Sequence, residues 1–181
     1  MSADQIDLGR VLAGLEIVLT EDPRFHVMPQ PEVLDAWTLG ALEVPAENHE
    51  QFLDRVDALA EILAHLPMPS VGLTALSALA APNESTHLTR LGQELSRHLP
   101  EASQATISSA METLVTVESL RSENQRAGSQ ALQTRAFDSL GIATAATDYP
   151  IAWAAVRHRV WAALEDIRTE ILVTSAEEEF G

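Results

Sequence analysis

A chain of 181 residues, 46% of them hydrophobic, is long enough for one domain with a substantial core. Its 27 acidic residues face 11 basic ones, all arginine, giving a net charge of −16, and it has no cysteine. The charge opposes binding to phosphate backbones and anionic lipid. The missing thiols and lysines exclude disulfide frameworks, thiolate zinc sites, a Walker-type phosphate clamp, Schiff-base chemistry and a Ser–Lys dyad.

The acidity is concentrated early in the chain. Residues 1–66 carry 13 acids and 3 arginines, residues 67–135 carry 6 and 5, and residues 136–181 carry 8 and 3. No apolar run reaches the roughly 18 to 20 residues of a membrane span, so no membrane association is expected. Met1-Ser2-Ala3-Asp4 lacks the order of a signal peptide, which predicts a cytoplasmic location.

Ser2 and Gln5 suggest a capping-box start for the first helix. Leu8, Val11, Leu12, Leu15, Val18 and Leu19 form its apolar stripe, while Ile6, Ala13 and Ile17 line up with Arg10 on the reverse side. A helix apolar on two sides is either central in its domain or shared with a partner. Pro23, Pro29 and Pro31 predict an extended arm from Asp22 to Gln30, with Phe25, Val27 and Met28 lying across a surface. Pro31 then opens a short helix carrying Val33, Leu34, Trp37 and Leu42, which Pro45 stops.

From about Glu47 to Leu66, Phe52, Val56, Leu59, Leu63 and Leu66 mark a core face. Glu50, Asp54, Asp57, Glu61 and His65 form a second line at helical spacing. Asp57, Glu61 and His65 are the candidate metal ligands of this line, but it falls nearly opposite the apolar stripe. Metal sites in bundles project inward, so the line reads as a solvated face. Pro67 and Pro69 separate it from a Leu- and Ala-rich helix at Val71 to Ala81.

Leu88, Leu91, Leu95 and Leu99 mark the next helix, with Arg90, Glu94 and Arg97 on its other face. Pro100 starts a segment with Ile107, Met111 and Leu114 on one side. The pattern turns polar from Glu118 to Gln130, so that helix either ends near Gly128 or continues as an exposed rod. Leu132, Phe137 and Leu140 resume the apolar pattern, and Gly141 suits a helix C′ position.

The longest amphipathic stretch runs from an N-cap at Asp148 to Thr174. Trp153, Val160 and Ile167 recur every seven residues, with Val156, Ala163, Leu164 and Ile171 widening the stripe. Arg157 interrupts the seam, which makes it a wet edge or a paired charge. Glu177-Glu178-Glu179 lies at the unfavourable end of a helix dipole and predicts a frayed acidic tail over 175–181. Strand-like alternation is absent throughout. The predicted fold is therefore all-α, a bundle of about six to eight helices in one domain over 1–174.

Assembled chemistry is sparse. The six histidines form no pair at helical ligand spacing, and no Gly-x-Ser-x-Gly elbow occurs. No catalytic residue and no cofactor is assigned. Arg157-His158-Arg159, beside Trp161, is the densest positive spot and the candidate ligand or partner contact. Ile6, Arg10, Ala13, Ile17 and Trp153 are the candidate self-association residues.

The leading expectation is a non-enzymatic, self-associating interaction protein that acts as a homodimer. Three alternatives stand beside it. One is a small-molecule sensor with a pocket near Trp37, Trp153 or Trp161. Another is a metal-dependent bundle enzyme using Asp57, Glu61 and His65. The last is an acidic decoy of a basic, DNA-binding partner, acting through residues 32–61.

Overall fold

Each helix carries one long apolar stripe, and the stripes converge on a common core. The computed structural model describes residues 7–25, 36–67, 87–125, 137–142 and 148–180. The described helices are α1 (Leu8–Glu21), α2 (Ala36–Glu43), α3 (His49–Ala64), α4 (His87–His98), α5 (Gln104–Gln125) and α6 (Tyr149–Phe180). A 3-10 turn at Glu101–Ser103 leads into α5. No strand occurs among the described residues. The chain is an all-α multi-helix bundle with a long C-terminal helix.

Helix ends follow local side-chain chemistry. Asp7 is the N-cap of α1 and accepts a hydrogen bond from the Arg10 amide at 2.9 Å. The Asp7 carboxylate satisfies an orphan amide of the first turn, and the expected Ser2–Gln5 capping box lies outside the described residues. Asn48 accepts from the Gln51 amide at 3.0 Å while the Gln51 side chain accepts from the Glu47 amide at 2.9 Å, which starts α3. Asp148 caps α6 as the sequence predicts, and Pro150 lies in its first turn. Residues 137–142 close in a Schellman motif. The Ile142 amide bonds the Phe137 carbonyl at 2.8 Å, the Gly141 amide bonds Asp138 at 3.0 Å, and Gly141 adopts φ +66°.

Helix α6 packs against α5, α1 and α3, and α5 also touches α3 and α4. The whole predicted seam of α6 is buried, from Trp153 to Ile171. Trp153 sits in an aromatic cluster: its ring meets Phe52 edge-on at 6.4 Å, and Phe52 meets Phe137 at 5.6 Å and Tyr149 at 6.0 Å. Its indole N–H donates to the Leu42 carbonyl at 3.0 Å, satisfying an orphan acceptor at the end of α2. Trp153 is 1% exposed, so it is a core residue and is removed from the candidate self-association surface.

Helices α1 and α6 run parallel. Arg10 lies in the electrostatic reach of Glu165, Gly14 packs against Arg168, and Asp22 meets Ser175, in the same order along both helices. The last of these contacts is a buried polar staple. Arg24 holds the Asp22 carboxylate through Nε at 3.0 and 3.1 Å and through a terminal nitrogen at 2.6 Å. The same guanidinium donates to Thr174 Oγ1 at 3.0 Å, the Ile171 carbonyl at 3.1 Å and Ser175 Oγ at 2.6 Å. Ser175 Oγ in turn reaches Asp22 at 2.6 Å.

The staple alters the expected tail. Helix α6 continues to Phe180, and Ser175 is a half-buried contact instead of the start of a free segment. The cause is the hydroxyl-to-carboxylate bond, which no periodicity argument registers. The first residues of the predicted arm are likewise structured, with Phe25 fully buried against the edge of the His98 ring at 5.6 Å. The rest of that arm, the start of the Pro31 helix, the Val71 to Ala81 helix and the break near Gly128 lie outside the described residues.

Candidate functional site

Gly14 determines the shape of the α1–α6 junction. A Cβ at this position would stand 3.2 Å from the Arg168 side chain, so its absence lets the arginine stem lie against α1. Above that contact the two helices diverge and leave a groove of about 510 Å³. Ala13 and Ile17 form one wall and Trp161 the other, with Arg10, Glu165 and Arg168 along the edges. Ile17 is 54% exposed, and Leu172, one turn past Arg168 on α6, is 45% exposed.

The groove is locally neutral in an acidic chain, because Asp7 and Glu165 balance Arg10 and Arg168. Arg168 grips Glu165 with two bonds, at 2.9 and 2.5 Å. Those bonds hold the Glu165 carboxyl below its usual range, with Arg10 adding to the effect, and they push Arg168 up. Arg10 is exposed, and its guanidinium makes no hydrogen bond or ion pair among the described residues.

The structure therefore joins two sets of residues that the sequence kept apart. Arg10, Ala13 and Ile17 from the candidate self-association surface share the groove with Trp161 from the candidate binding set. Ile6 lies outside the described residues. The remaining cations do not converge there. Arg157 turns away to α2, where it ion-pairs with the Glu43 carboxylate and reaches the Glu43 carbonyl at 3.4 Å. Of the two readings of Arg157, the paired charge is the one observed.

His158 is exposed, its ring 6.2 Å from that of Trp161. Arg159 is also exposed and projects toward Gly141, where an added Cβ would lie 2.7 Å from its guanidinium. The Arg157-His158-Arg159 run is thus spread around the helix. Asp7, Gly14, Glu165 and Arg168 were missed by sequence reasoning. The one available signal was a glycine inside an otherwise regular apolar stripe, which often marks close packing.

The acidic line of α3 also divides. Glu61 and His65 are exposed, with His65 Nδ1 2.7 Å from the Glu61 carbonyl. Asp57 instead lies by the α3–α5 contact and is half-buried, with Oδ1 covered and without a hydrogen-bond partner among the described residues. Burial raises its carboxyl above the ordinary value, the Arg121 charge opposes this, and Asp54 adds to it. Among the described residues no three His, Asp or Glu side chains gather as a metal ion requires. A carboxyl raised by folding favours the native state at low pH and weakens it as pH rises through the folded value. Asp57→Asn should therefore raise stability at pH 7, by up to about 1 kcal/mol in urea unfolding.

Glu94, expected on the face of α4 away from the leucine stripe, is buried. It is 1% exposed, and Arg97 bonds both of its oxygens at 2.8 and 3.0 Å, with His98 Nε2 3.7 Å away. Its position on the flank of the Leu88–Leu91–Leu95 stripe carries it into the core edge, and Arg97 compensates the charge there. Trp37 lies in α2, outside the residues whose side chains are described. Among the described residues no helix is long and apolar enough to cross a membrane. Comparison of the chain with protein-family models, curated proteins and solved structures returns no match.

Proposed function

We propose that this chain is a helical interaction protein that works by self-association through the outer face of α1 and the adjoining groove on α6. The observation that carries this reading is Ile17, a large apolar side chain 54% exposed beside Ala13, on the side of α1 away from the core. Trp161 extends the apolar surface across the groove, and the balanced charge lets a second acidic chain approach without the repulsion that −16 imposes elsewhere. A two-fold pairing is the commonest arrangement for such a surface.

Light scattering on purified protein at tens of micromolar tests the reading. Wild-type chain should elute at twice the monomer mass of 19.6 kDa. Ile17→Asp should stay helical by circular dichroism but elute as a monomer, because Ile17 contributes nothing to the intramolecular stripe. A wild-type monomer at that concentration sinks the proposal.

A second reading, a small-molecule sensor, has one observation in its favour. The groove volume of about 510 Å³ falls within the range of ligand pockets, and Trp161 walls it. Its signature is a saturable change in Trp161 fluorescence with a metabolite panel, lost in Trp161→Phe.

A further inference from the structure

Beyond its Asp7 cap, helix α1 carries its charges at the wrong ends. Arg10 sits in the first turn and Glu21 is the last helical residue, with no acid in the first turn and no base in the last. The helix dipole disfavours both placements. Glu21, like Arg10, is exposed and makes no side-chain hydrogen bond or ion pair among the described residues. Both charges lie on the outer face with Ala13, Gly14 and Ile17, at spacings of three, four and seven residues.

We infer that in the self-associated form α1 pairs antiparallel with α1 of a second copy, in a register that sets Arg10 of each chain against Glu21 of the other. This inference rests on the self-association proposed above and specifies its geometry. The register follows from the spacing. Arg10 and Glu21 are eleven residues apart, about 16 Å along the axis, so a two-fold between residues 15 and 16 brings both pairs together at once. The same two-fold sets Ile17 of each chain opposite Gly14 of the other.

Each Ile17 then meets the Arg168 stem that covers Gly14 of the other chain, beside Ala13. Every unusual feature of the face gains a complement. The first-turn arginine gains an acid beyond the Asp7 and Glu165 of its own groove, the last-turn glutamate receives a base, and the exposed Ile17 is covered. Antiparallel pairing also opposes the two helix dipoles. In the other orientation, parallel pairing at equal height sets Arg10 against Arg10 and Glu21 against Glu21.

Charge reversal tests the register on the full chain, read as the dimer dissociation constant by sedimentation, with circular dichroism confirming the helix content. Arg10→Glu and Glu21→Arg should each raise the constant at least about tenfold, since each turns two attractions into two repulsions. The double reversal should restore it to within about threefold of wild type. A dimer indifferent to both single changes overturns the register but leaves self-association standing. Single effects without rescue in the double variant overturn the Arg10–Glu21 pairing. A monomeric wild type overturns the register together with the reading it rests on.

Discussion

Replacing Arg24 by alanine should cost about 3 kcal/mol and invert the protein's response to acid. The side chain of Asp22 is 4% exposed and that of Arg24 13%, so the substitution leaves a carboxylate at the core edge without its counter-charge, held only by the residue-24 amide and the Ser175 hydroxyl. Removing one partner of a buried pair costs about 3–5 kcal/mol, and the partial access of Arg24 to water favours the lower figure. Thr174 and Ser175 keep their bonds to the carbonyls of Glu170 and Ile171, so α6 itself should survive.

The pH dependence separates this account from a simple loss of packing. Burial alone would raise the Asp22 carboxyl, but the bonds from Arg24 and Ser175 outweigh it and leave it below the ordinary 3.8. A depressed acid contributes stability that is present above 3.8 and is lost as pH falls through the lower folded value. Without the Arg24 side chain only the Ser175 hydroxyl and the residue-24 amide oppose burial, the largest effect on this carboxyl, and its folded value should rise. The destabilisation is then present at neutral pH and relieved as the solution is acidified. Urea titrations of both proteins from pH 7 to pH 3 should show opposite slopes at the acid end. Parallel slopes would mean that Asp22 is not the group left unpaired.

Trp153→Ala should cost about 4 kcal/mol, a large share of the 5–15 kcal/mol available to a domain. The substitution removes the largest ring packed on Phe52 and leaves the Leu42 carbonyl at the end of α2 without its donor. Trp153→Phe separates the two contributions. It refills most of the volume but still abandons the carbonyl, and should cost about 1–2 kcal/mol. Equal losses in the two variants would show that the indole bond, not the ring volume, holds α2 in place. Urea unfolding followed at 222 nm measures both.

The seam of α6 and the Phe52–Leu66 face of α3 were legible because a buried stripe leaves the same periodic mark whatever it packs against. Asp22, Arg24 and Ser175 left no such mark. They lie about 150 positions apart and belong to a polar contact, and a period reports which face of a helix is buried without saying what it meets. Asp57 and Glu94 were misplaced for a related reason. Both stand on the flank of an apolar stripe, where a turn of a few tens of degrees decides between water and a neighbouring helix. The outer face of α1 was half visible: Ala13, Ile17 and Arg10 formed a line in the sequence, but Trp161 and Arg168 joined them only through the α1–α6 contact.

The parallel alliance of α1 with α6 has a consequence for how the protein is made. Roughly 130 residues separate the end of α1 from the start of α6, so at ordinary elongation rates α1 leaves the ribosome some ten seconds before its neighbour exists. During that interval the face of Val11 and Val18 is bare beside Ile17, and two nascent α1 segments on one messenger present matching surfaces to each other. Closing the α1–α6 contact also requires the largest loop in the chain, which places it among the slowest steps of folding. If the proposed self-association holds, contact between neighbouring nascent chains precedes the closure of α1 on α6.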